Sequence, residues 1–105
     1  MKITNDMFDD FMESRFEEIL QLRRIKAVEY TQLAFDENFE KASHFLNMKK
    51  EQVALAYATK QITSIYDTIL NERNYDKLRE KINDVIVYLL LIEAMIIGGK
   101  ADVSK

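Results

Sequence analysis

Apolar and polar positions recur with a helical period along almost the whole chain, most strongly near its C-terminal end. At about 100° per residue, Leu78, Ile82, Val85, Leu89, Ile92 and Ile96 fall on one unbroken stripe, which predicts a core-facing helix. A second face carries Lys77, Glu80, Asp84, Tyr88, Leu91 and Met95 and is apolar only in its last two turns, so the helix is expected to be covered on more than one side. Between Val85 and Ile97 only Glu93 is charged. Because crossing a bilayer takes about 20 apolar residues, the stretch reads as a buried helix and no membrane is expected as a partner.

The rest of the pattern divides the same way. Thr4, Asn5 and Asp6 offer side-chain oxygens for a helix start, with Asp6, Asp9 and Asp10 at the positive end of the dipole. Phe8, Phe11, Met12, Ile19, Leu22, Tyr30 and Leu33 then share one broad face, predicting a long first helix to about Ala34 with a break near Tyr30. Asp36 is a cap candidate for a second, short helix over about Glu37 to Leu46, whose face is Phe39, Ala42, Phe45 and Leu46. Leu55, Ala58, Ile62, Ile65, Tyr66 and Ile69 predict a third helix from about Lys50 to Leu70. After the polar interruption Asn71-Glu72-Arg73-Asn74, Asn74 is placed to cap the fourth helix, Tyr75 to Ile97, with Gly98 just past its end. The expected fold is therefore all-α, a compact four-helix bundle-like domain over residues 1–99 with a long N-terminal helix and a strongly apolar C-terminal helix. Residues 100–105 read as a flexible tail.

Composition narrows the chemistry more than the fold. The 105 residues contain no proline and only two glycines, which leaves long helices unobstructed and speaks against a sheet. A net charge of −3 offers no general attraction to nucleic acid. With no cysteine and His44 as the single histidine, thiolate chemistry and a multi-histidine zinc site are excluded, and any metal would be held by oxygen. The opening Met-Lys-Ile-Thr-Asn-Asp lacks the apolar run of a signal peptide, so a cytoplasmic protein is expected. No glycine-rich phosphate loop and no Ser/His/Asp arrangement is present, and no catalytic residue is assigned.

One polar constellation stands out. The third helix carries Lys60 and Asp67 opposite its apolar stripe, and the fourth carries Glu80 and Asp84 on its mixed face; if the two faces meet, these four converge, with Glu18 and Glu29 of the first helix able to join them. Asp84 precedes Val85-Ile86-Val87, and a buried carboxylate needs a compensating partner, for which Lys60 is the candidate. The open readings are a structural ion pair or solvated turn, a ligand or metal site, and a subunit interface.

Glu29-Tyr30, Asn38-Phe39 with Lys41-Ala42, Lys60 to Asp67, and Glu80-Lys81-Ile82 with Asp84 and Tyr88 together resemble a group of small helical proteins encoded by bacteriophages. That group is in turn similar to the MazG-like all-α nucleoside triphosphate pyrophosphohydrolases. The second resemblance implies magnesium held by carboxylates in a Glu-Glu-x-x-Glu run on one helix and Glu-x-x-Asp on the next, bridging to substrate phosphates. This chain has Glu17-Glu18 followed by Gln21 in place of the third glutamate, and Lys81 three residues before Asp84. The functional expectation is accordingly a phage-type helical protein, in the host cytoplasm, that acts by binding without a cofactor. Self-association would run through Leu91, Met95 and Ile97, with a host or phage protein as a further partner. The alternative is a MazG-like enzyme that uses magnesium.

Overall fold

The computed structural model describes residues 1–29, 35–72 and 74–103. The chain is all-α, with helices α1 (Asn5–Glu29), α2 (Glu37–Leu46), α3 (Lys50–Asp67) and α4 (Tyr75–Val103), and no strand among the described residues. The long N-terminal helix and the apolar C-terminal helix are both present. Residues cluster into two units, Met1–Leu33 and Ala34–Lys105.

The first unit is α1. Thr4 starts it: the Met7 amide donates to Thr4 Oγ1 at 3.2 Å, and the Phe8 amide to the Thr4 carbonyl at 3.0 Å. The expected extension to Ala34 and the break near Tyr30 lie outside the described residues. Along α1 the large apolar side chains Phe8, Phe11, Met12, Phe16, Leu20 and Ile25 are exposed, and the Phe8 and Phe11 rings stack with centroids 6.4 Å apart.

The second unit is built on α3 and α4. Gln61 bonds to Asp84, the Tyr57 ring stacks on Tyr88, and Ala54 shares a buried cluster with Met95. Moving backward along α3 thus moves forward along α4, and the two run antiparallel. Helix α2 lies against α3, and its Phe39 inserts beside Val53, Ala54 and Met95. Ala42, Tyr88, Leu91 and Ile92 pack around that cluster, which is the core of this unit.

Three local starts and stops follow from side-chain chemistry. Asn47 ends α2 in the left-handed conformation at φ 53°, which asparagine tolerates better than other non-glycine residues. Gln52 Oε1 accepts the Lys49 amide at 3.0 Å to open α3, and Asn74 Oδ1 accepts the Lys77 amide at 3.2 Å to open α4, as its sequence position predicts. Asp36 holds the N-cap position of α2, its carbonyl accepting the Glu40 amide at 3.0 Å, but its carboxylate makes no cap hydrogen bond and is taken by Lys50 at 2.6 Å.

Helix α3 also ends differently from expectation. Regular α-helix stops at Asp67 and continues as a π-helical turn, Thr68–Glu72. Buried Thr68 holds the junction: its hydroxyl donates to the Ser64 carbonyl at 2.8 Å and accepts the Lys81 ammonium at 3.0 Å.

Gly98 does not terminate α4. The helix continues through Gly98 and Gly99, neither of which has a positive φ, and no atom lies within 4 Å of a β-carbon built at either. Glycine inside a helix costs about 0.5–1 kcal/mol relative to alanine. Gly98→Ala should therefore raise the stability of this end of α4 by up to about 1 kcal/mol, read as slower hydrogen exchange of the surrounding amides. A left-handed cap at this position would give the opposite sign.

Candidate functional site

Of the six residues of the predicted polar constellation, Glu18 and Glu29 belong to the first unit and Lys60, Asp67, Glu80 and Asp84 to the second. Glu18 pairs along its own helix with Arg15 at 3.4 Å. Glu29 is the last residue of α1, and its side chain lies outside the described residues. Lys60, Asp67 and Glu80 are exposed. Asp84 is half-buried, and the Gln61 amide reaches it from α3, its Nε2 donating to Asp84 Oδ2 at 3.3 Å. Lys60 sits about 100° around α3 from Gln61. Among the described residues no three carboxylates or histidines come together closely enough to hold a metal ion. His44 is exposed and lies 3.8 Å from Glu40 on the same helix.

The polar groups that do meet across elements were hidden from local spacing. Lys50 Nζ, at the start of α3, donates to Asp36 Oδ2 at 2.6 Å and lies 3.4 Å from Glu40 Oε2, clamping α2 to α3. The hydrogen bond to Asp36, reinforced by the charges of Asp36 and Glu40 against a smaller cost of burial, raises the Lys50 pKa above its usual 10.5. Across α2, α3 and α4, Phe39 meets Tyr57 and Tyr88 edge-on at 5.9 and 6.0 Å, while the two tyrosines stack at 6.1 Å. Burial raises the Tyr88 pKa above 10.0, with the charges of Asp84 and Tyr57 adding to it.

Both shifts have the same consequence for stability. Below about pH 10 the two groups are protonated in the folded and unfolded chain alike, so their contribution is complete. Above it the unfolded chain releases these protons first, and stability falls as pH rises through the higher folded-state values. The urea midpoint should drop as pH rises above about 10, and Lys50→Met combined with Tyr88→Phe should flatten that drop. An unchanged slope in the double variant would dissociate the alkaline transition from this seam.

The more informative surface is apolar. On α3, Ala54 and Gln61 turn toward α4, as does Thr68 of the π-helical turn, and Val53 and Tyr57 turn toward α2. About a quarter-turn to the other side, Leu55, Ile62, Tyr66 and Ile69 are 49–64% exposed. Helix α4 behaves likewise. Its contact with α2 and α3 uses Lys81, Asp84, Tyr88, Leu91, Ile92 and Met95, leaving Ile82, Leu89, Leu90, Ile96 and Ile97 at 36–59% exposure.

This corrects three expectations. Of the predicted stripe, Ile92 packs on the core and Leu78 and Val85 are half-buried, but Ile82, Leu89 and Ile96 are exposed, and the buried Met95 comes from the mixed face. Of the proposed interface residues, Met95 is 1% exposed within the chain's own core and Leu91 packs beside it, so only Ile97 remains open. Nor is α4 a buried helix: Met95 is its one buried residue among those described. By length and composition alone, Tyr75–Gly99 would suffice to cross a membrane. Viewed along the antiparallel pair, the open quarter of α3 and the open stripe of α4 lie on the same side, opposite α2.

No protein-family model, no curated protein and no solved structure matches this chain.

Proposed function

We propose that the chain acts by binding, first of all to itself, with a host or phage protein as the further partner that the resemblance to phage-encoded helical proteins implies. The observation that carries this is the open apolar side of the α3/α4 pair, where Leu55, Ile62, Tyr66 and Ile69 stand beside Ile82, Leu89 and Ile96. Single exposed hydrophobes are ordinary, but a contiguous group across two helices marks an association surface. A bilayer is a poorer occupant. The apolar stretch of α4 contains Asp84 and Glu93, and an acidic residue near the bilayer centre costs about 2.5–3.5 kcal/mol on insertion scales.

The MazG-like alternative requires carboxylates converging on magnesium. Its Glu80 is exposed and its Asp84 is occupied by Gln61, so binding is the better-supported reading.

Light scattering after size exclusion is the test. At about 100 μM, well above the micromolar dissociation constants of modest interfaces, the mass should be a multiple of 12.4 kDa. A monomer at that concentration, or a monomer that floats with lipid vesicles, would overturn the proposal. Stabilisation by magnesium with a nucleoside triphosphate would favour the enzyme instead.

A further inference from the structure

The side of α4 turned away from α3 has a palindromic chemistry. Ile86 is its centre; Ile82 and Leu90 lie four residues to either side of it, Arg79 and Glu93 seven, and Tyr75 and Ile97 eleven. These spacings keep all of them within a narrow strip of the helix, because eleven residues make almost three whole turns. The strip is open on both sides of a half-buried Ile86: Tyr75 is 75% exposed, Ile97 59%, Leu90 53% and Ile82 36%, with Arg79 and Glu93 also exposed.

We infer that α4 pairs antiparallel with α4 of a second copy, about a two-fold axis passing beside Ile86. This rests on the self-association proposed above, and it places the contact on the strip of α4 opposite α3, which shares Ile82 with the open side of the α3/α4 pair, and gives its direction. An antiparallel pair brings together residues equidistant from the axis. Ile86 meets itself, Ile82 meets Leu90 of the second copy, and Tyr75 meets Ile97. Arg79 meets Glu93 of the second copy, and the symmetry makes that ion pair twice. A parallel pair would set Arg79 against Arg79 and Glu93 against Glu93, so the charges choose the direction. Such an interface is isologous and closes at two copies. The eleven-residue repeat gives 3.67 residues per turn, so the helices should cross with little supercoil and a slight right-handed sense.

The experiment is a charge exchange read by sedimentation equilibrium at low salt, with Arg79→Glu, Glu93→Arg, and the two combined in one chain. Both substitutions lie on exposed positions, and far-ultraviolet circular dichroism checks that the helices persist. Each single change replaces two attractive contacts by two repulsive ones and should weaken the dimer at least about tenfold. The double variant restores both pairs in reverse and should return to within about threefold of the original dissociation constant. Mixing the two single variants should yield the heterodimer in preference to either homodimer, because its pairs are again opposite in charge. A dimer whose affinity ignores all of these changes would overturn the antiparallel α4 pairing and leave self-association to another face. Single changes that are not rescued in the double variant would overturn it equally. A chain that is monomeric before any change would remove the underlying proposal instead, so the two failures are distinguishable.

Discussion

Phe39→Ala should destabilise the second unit by about 3–5 kcal/mol, among the largest effects of any single substitution in it. Phe39 is the buried residue of α2, and it fills the space between Val53 and Ala54 of α3 and Met95 of α4. Its ring also meets Tyr57 and Tyr88 edge-on, an arrangement worth about 0.5–1.5 kcal/mol beyond area burial for each pair. Helix α2 has only ten residues, too few to be stable by itself in water, so its order depends on this anchor and on the Lys50 clamp. Truncation should therefore release α2 as well as lower stability. The measurements are the urea midpoint and the near-ultraviolet dichroism of the tyrosines, which reports the loss of the three-ring cluster even if α3 and α4 remain paired. A midpoint shift below about 1 kcal/mol would mean that α2 is not held by Phe39.

The helices were legible in the sequence because their signals are local. Period, cap chemistry and the absence of proline place α2 over Glu37–Leu46 and start α4 at Tyr75, and the Thr4 and Asn74 side-chain oxygens accept the cap hydrogen bonds expected of them. The inward face of α2 was legible, since Phe39 and Ala42 of its predicted stripe pack on the core, but those of α3 and α4 were legible only in part. Periodicity identifies an apolar stripe but not what covers it, and on α3 the buried positions are Val53, Ala54 and Ala58. The exposed part of each stripe is left on one side of the α3/α4 contact.

The polar constellation failed for a related reason. Its members were assembled by charge type, whereas the real cross-helix partners are an amide, Gln61, for Asp84, and a hydroxyl, Thr68, for Lys81. Neither pair carries opposite charges, so a search for ion pairs passes over both. The ion pair of Lys50 with Asp36, which ties the start of α3 to the start of α2, spans fourteen residues and sits where Asp36 reads as a cap. The signal available was the lysine directly after the Lys49 cap, on the side of α3 that faces back toward α2.

Met95→Ala and Leu89→Ala test the inversion of α4 directly, because the two residues exchange the roles that periodicity suggests. Leu89 lies on the unbroken stripe and would be a core residue on that pattern alone, yet it is 48% exposed; Met95, on the mixed face, is 1% exposed. Removing a fully buried methionine forfeits its transfer energy and leaves a cavity among Phe39, Val53 and Ala54, at a cost of about 2–5 kcal/mol. Removing a half-exposed leucine forfeits only part of the transfer term and leaves no closed cavity, so about 1 kcal/mol or less is expected. Association would stabilise the folded state by mass action and blur the comparison, so the unfolding curves should be collected at the lowest workable protein concentration and repeated at a higher one. A stability change that grows with concentration for Leu89→Ala but not for Met95→Ala would place Leu89 at the contact between copies. Equal losses at both positions at low concentration would mean that the stripe is covered within one chain and that α4 presents no open apolar face.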